Sequence, residues 1–200
     1  MSHRPFVLAF ALVSVGPLVA PRVAPAQRAA PRAAPRAESF WLSAGIGPTW
    51  LRVSCEICRS DRGTGMSGYV AIGGSGGRGL LVGAEATGRF KREGSVRETV
   101  WGFGAVARWF PNPRRRLYWK LGAGAQLYRI EDGQDVLTAT PFGVQLGIGW
   151  ELPLSRRFRW TPSATVHIAS VGGGLKLNGA SSIHDVALTM VQLGFGVTRR

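Results

Sequence analysis

From Ser39 onward, apolar residues recur at every second position, the period of a strand rather than that of a helix. The stretch "TPFGVQLGIGWEL" (140–152) is the clearest case. Phe142, Val144, Leu146, Ile148, Trp150 and Leu152 share one face, and Gly143, Gln145, Gly147, Gly149 and Glu151 share the other. The same division recurs where Leu117, Trp119, Leu121 and Leu127 oppose Tyr118, Lys120, Gly122, Gly124 and Gln126. It returns where Val191, Leu193, Phe195 and Val197 oppose Gln192, Gly194 and Gly196. About eight such runs lie near 39–52, 65–74, 79–91, 98–110, 116–130, 138–152, 158–170 and 185–198. The links between them are rich in turn residues and alternate between longer and shorter, with "VGGGLKLNGASSIH" the longest. That predicts an antiparallel up-and-down meander whose two ends differ. Glycine within the runs argues against helix.

The composition of the two faces decides which one is inside. A soluble barrel would turn the apolar face inward. The second face would then meet water, yet it is mostly glycine and short polar residues, with Glu85, Arg89, Arg108, Lys120 and Glu151 among them. Turned inward, small residues relieve the crowding of a narrow barrel, and the few charged ones can pair across it. The apolar face then needs an apolar solvent, and about ten tilted residues per strand cover the hydrocarbon thickness of a bilayer. Tryptophan supports this: of seven, six have the apolar parity and fall near run ends. Trp50 and Trp101, with Phe90, mark the longer-loop end. Trp109, Trp119, Trp150 and Trp160, with Phe40 and Phe195, mark the short-turn end. Two aromatic girdles at two interfaces follow. Trp41 alone has inward parity.

These strands, among them "YWKLGAGAQLYRI" and the terminal "ALTMVQLGFGV", resemble the small outer-membrane β-barrel family, the OmpA- and OmpX-like transmembrane domains of diderm bacteria. The resemblance covers about residues 39–200 and implies a barrel of about eight strands in an outer membrane, inserted by dedicated machinery, with the N-terminus and short turns in the periplasm. The chain departs from the family's terminal aromatic residue, ending Val197-Thr198-Arg199-Arg200.

The N-terminus fits export. Basic residues in Met1–Pro5 precede an apolar stretch, Phe6–Ala20, broken by Gly16-Pro17 and too short to span a membrane. Ala24-Pro25-Ala26 places small residues before a cut between Ala26 and Gln27, so residues 1–26 read as a signal peptide. Residues 27–38, repeating Arg-Ala-Ala-Pro, read as a basic disordered tether, and 39–200 as the barrel. The net charge of +14 and pI near 11.5 raise the possibility of nucleic acid. Arg78, Arg114, Arg115, Arg116, Arg156, Arg157, Arg199 and Arg200 gather at the short-turn end, however, while Glu56, Asp61, Glu93, Glu98, Glu131, Asp132, Asp135 and Asp185 fall in or beside the longer loops. One-ended charge suits anionic lipid headgroups, and no basic platform interleaved with exposed aromatics exists for nucleic acid.

Candidate chemistry is sparse. Cys55 and Cys58 lie in the first outer loop, where an exported chain with two cysteines most simply forms one disulfide; unpaired thiols and a metal site are the alternatives. His167 and Ser170 could suggest a lipid-modifying hydrolase, but their separation puts them on opposite faces of a strand. "GGSGGRG" lacks the residues of a phosphate loop. The expectation is a non-enzymatic, monomeric envelope protein that needs no cofactor. Its partners are outer-membrane lipids, the insertion machinery and any ligand of the outer loops, and side chains fill its lumen. A small channel, a lipid-modifying enzyme and a soluble lipocalin-like barrel are the alternatives.

Overall fold

The structure is a computed structural model, and it describes residues 40–54, 62–77, 79–112, 114–172, 174–183 and 186–200. The expected signal peptide, the tether and the Cys55–Cys58 pair lie outside the described residues.

Eight strands close a barrel: β1 (Trp41–Ser54), β2 (Arg62–Gly77), β3 (Leu80–Glu93), β4 (Val96–Trp109), β5 (Leu117–Asp132), β7 (Phe142–Trp150), β9 (Phe158–Val171) and β12 (Ala187–Arg199). Neighbours pair antiparallel in that order, and β12 closes on β1 through a register running from Leu42–Arg199 to Ser54–Ala187. Four short strands complete the sheet: β6 (Asp135–Ala139), β8 (Leu152–Pro153), β10 (Leu175–Leu177) and β11 (Ala180–Ile183).

The runs read from the sequence map onto the barrel strands, with differences at the loop end. The expected run 138–152 is interrupted at Thr140 and Pro141, where proline cannot donate to a ladder, so β6 pairs only with the upper half of β5 and β7 takes the lower half. Two connections expected as a turn or loop are tight turns at Gly94 and Gly133, which adopt φ of 60° and 62°. The segment expected as the longest loop contains the β10–β11 hairpin. Asn178 ties it to β6: the Val136 amide donates to Asn178 Oδ1 at 2.9 Å, and the Asn178 amide donates to the Val136 carbonyl at 2.8 Å.

The outer wall carries the apolar parity. Leu146, Val144, Ile46, Leu121 and Phe103 are exposed around its middle. The aromatic residues expected in the girdles, Phe40, Trp50, Phe90, Trp101, Trp109, Trp119, Trp150, Trp160 and Phe195, are all between 40% and 57% exposed. Trp41 is fully buried. A continuous exposed apolar wall is stable only against hydrocarbon, and the chain is a transmembrane barrel.

Candidate functional site

The inward face forms three layers. At the loop end, Leu51, Val100, Tyr128, Leu188 and Met190 point inward and pack with Ala139, Leu175 and Val186. Leu175 belongs to β10 and Val186 directly precedes β12, so this apolar cluster closes the mouth with residues from the connections as well as the wall. Against it stands Arg89, fully buried, which donates from Nη1 to Glu98 Oε2 at 2.6 Å and from Nη2 to the Gly63 carbonyl at 3.1 Å. The Tyr128 hydroxyl donates to the other oxygen of Glu98 at 3.1 Å.

The middle layer is polar. Lys120 Nζ lies 2.6 Å from Glu85 Oε1, with both side chains almost completely buried. Gln192 Nε2 donates to Ser67 Oγ at 2.8 Å, and Ser67 donates to the Gly47 carbonyl at 3.2 Å. A cavity of about 30 Å3 is bordered by Glu85, Thr87, Gln126, Gln145 and His167, large enough for one or two waters.

At the turn end, Trp41, Ala71, Leu81, Val106, Phe110 and Tyr118 form a second apolar cluster. Arg108 is sandwiched there, its guanidinium carbon 4.5 Å from the Trp41 ring centre and 5.2 Å from that of Tyr118. Its Nη1 donates to Thr198 Oγ1 at 3.4 Å, and Thr198 in turn meets Thr161 and Ser43, each at 2.9 Å. Arg200 closes the bottom, 2.8 Å from Glu151 and 4.6 Å over the Phe110 ring.

Glycines make these layers possible. The Tyr69 ring lies over Gly45 with its hydroxyl over Gly196, and the Tyr118 ring lies over Gly149, so a Cβ at any of the three would strike a tyrosine side chain. The inward residues therefore interlock as large on small.

The charged residues expected to share one network are distributed differently. The structure brings Lys120 to Glu85 but does not bring Arg108 to Glu151, whose partner is Arg200. Stacking on Trp41 and Tyr118 holds Arg108 in place. Arg89 is joined to none of the others; it takes Glu98, a residue read from the sequence as a loop charge. Parity held the missing signal, since Glu98 is in phase with inward Val100 and Gly102, and Arg200 with inward Thr198 and Gly196. His167 is buried in the lumen and Ser170 is exposed on the opposite face, so the two cannot act on each other. Among the described residues no group of His, Cys, Asp and Glu is arranged to hold a metal.

The fold and lumen together define a small transmembrane barrel with an apolar cluster toward each end and polar residues between them. Neisserial surface protein A (NspA) has this fold: its crystal structure superposes with a TM-score of 0.57 at 16% identity, covering 80% of this chain and 96% of that one. Ail, the attachment invasion locus protein of Yersinia pestis, aligns at 16% identity over 79% of this chain and 97% of its own, with a TM-score of 0.49. The outer membrane protein AlkL aligns at 10% identity over 87% and 96%, with a TM-score of 0.46. No protein-family model and no curated sequence matches the chain.

Proposed function

We propose that this chain is a non-enzymatic outer-membrane protein whose working surface is its exterior and its loop end. The observation that carries the reading is the lumen, closed by an apolar cluster at each end with paired charges between them. Solute passage would require breaking both clusters and separating Lys120 from Glu85. Among the described residues His167 and Ser170 face opposite ways, and the buried carboxylates Glu85 and Glu151 pair with Lys120 and Arg200. The apolar belt and its aromatic edges take lipid as their partner, and the fold, which NspA shares, supports an envelope location. Monomeric assembly, delivery by the insertion machinery, removal of residues 1–26 and a free tether over 27–38 belong to the same reading. So do a Cys55–Cys58 disulfide and recognition of an outside ligand by the loops.

Density-gradient fractionation of expressing cells, with mass spectrometry of the recovered chain, tests location and processing together. The expected result is an outer-membrane band whose mature N-terminus is Gln27. Recovery in the inner membrane with residues 6–20 retained would overturn the reading. Deleting the gene should leave uptake of small hydrophilic solutes unchanged; a marked fall in uptake would transfer the protein to the channel class.

A further inference from the structure

The outer wall is apolar, and at one place two neighbouring outward positions carry no side chain at all. On β2 and β3 the outward positions Gly68 and Gly88 are direct cross-strand partners, flanked in register by Ile46 on β1 and Trp101 on β4. Two side chains are thus missing side by side. The result is a groove of about 690 Å3 down the membrane-facing wall, bordered by Phe90 and Trp101 on one side and by Trp160 and Phe195 on the other. Phe90 and Trp101 meet edge to face with ring centres 5.2 Å apart, and the absence of a side chain at Gly88 lets both rings settle over the backbone there.

Phe90 also borders a second hollow, of about 550 Å3, lined by Lys91, Arg92, Arg97 and Thr99. Arg92 and Arg97 are direct partners across β3 and β4, both outward and exposed, one side-chain step beyond the Phe90–Thr99 pair. That step is about 7 Å along the strand, the depth at which an acyl region gives way to headgroups. Like charges directly opposite each other destabilise a sheet unless an anion lies between them. The carboxylates nearby take other partners: Glu93 pairs with Lys91, Glu98 with Arg89, and Glu131, although it stands in register with Arg97 across β4 and β5, with Arg129, at 2.6 to 2.7 Å. Among the described residues none bridges Arg92 and Arg97. A second arginine pair, Arg52 and Arg62, stands in register on β1 and β2.

We propose that this wall is a lipid-binding site: the groove over Gly68 and Gly88 takes an acyl chain, and the Arg92–Arg97 pair takes the phosphate of the same lipid. Two guanidinium forks facing each other can each donate paired hydrogen bonds to phosphate oxygens, and the anion offsets the repulsion between them. The arginines lie at the loop end, which on the outer-membrane reading faces the outer leaflet. On that reading the occupant is a phosphorylated, multiply acylated glycolipid.

The test uses the full processed chain in detergent micelles and native mass spectrometry. The probes are hexa-acylated lipid A with both phosphates, the same lipid dephosphorylated, and phosphatidylglycerol. Wild type should retain the phosphorylated glycolipid at least tenfold better than either of the others. Arg92→Gln with Arg97→Gln should abolish that preference, whereas Arg92→Lys with Arg97→Lys should keep part of it. Gly68→Leu should reduce retention of all three lipids together, because a Cβ there makes only ordinary contacts with the Gly45 carbonyl and Ile46 and Gly68 lines the groove. Heat-modifiable gel mobility confirms that each variant is folded. Equal retention of the phosphorylated and dephosphorylated lipids by wild type would overturn the proposal. So would equal retention of phosphatidylglycerol, or an unchanged preference in the Arg92→Gln, Arg97→Gln variant. Micelle binding does not depend on cellular location, so failure here is separate from failure of the fractionation experiment.

Discussion

Lys120 is sealed in the barrel with one carboxylate, Glu85, at 2.6 Å, and neither group reaches bulk water. Such a pair contributes little net stability over an apolar replacement, yet removing one member strands the other charge. Lys120→Met should therefore destabilise the folded barrel by about 3–5 kcal/mol, and adding Glu85→Gln should restore most of that loss. Urea titration of the protein in phospholipid vesicles, read by tryptophan emission, checks both; equal stability of the single and double variants would show that the pair is not closed to solvent. Arg108 illustrates a different solution. Its charge rests between the Trp41 and Tyr118 rings, where cation–π attraction supplements one long hydrogen bond to Thr198. Trp41 stood out in the sequence as the one tryptophan of inward parity, but alternation gives only the face. It cannot say that Arg108 would rest on rings and leave Glu151 to Arg200, because that choice depends on contacts between β1, β4 and β5.

At the scale of the strand, alternation carried most of the information. The outward residues of β7, Phe142, Val144, Leu146, Ile148 and Trp150, are all exposed, while Gln145 and Gly149 between them are buried. Position along the strand should matter as much as face. Leu146 lies at the centre of β7, and Leu154, 66% exposed, lies in the turn between β8 and β9. Leu146→Arg should disfavour folding into a bilayer by about 2–4 kcal/mol, and Leu154→Arg by only about 0–1. Reversible folding into vesicles measures both, and equal costs would contradict the placement of the membrane. The limits of alternation appear at the loop end. Strands β3 and β4 run on to a turn at Gly94, β5 and β6 to a turn at Gly133, and β10 and β11 form where a loop was expected. Glycine and polar residues mark turns and loops equally well. What converts these segments into strands is pairing with distant partners, as when Asn178 captures the backbone of Val136, and a period-two pattern too short to stand out does not reveal it.

At the scale of the whole molecule, the barrel is a stack: an apolar plug, a polar middle and a second apolar plug. The small residues that face inward announced a crowded lumen. The plugs themselves were less legible, because inward apolar residues such as Leu51, Val100, Leu188 and Met190 interrupt the expected polar parity only near strand ends, where Leu175 and Val186 from the connections join them. Hydrophobic constrictions resist wetting, so on the proposed reading two apolar clusters in series break the water file. Single-channel recording of the purified, refolded protein in planar bilayers tests this most directly. The account predicts no steady conductance for wild type, and cation-preferring openings when Lys120 and Arg108 are both replaced by Ala together with Leu81→Ser and Leu51→Ser, since Glu85 then faces an open path. Large, stable, ohmic openings in the wild type would contradict it.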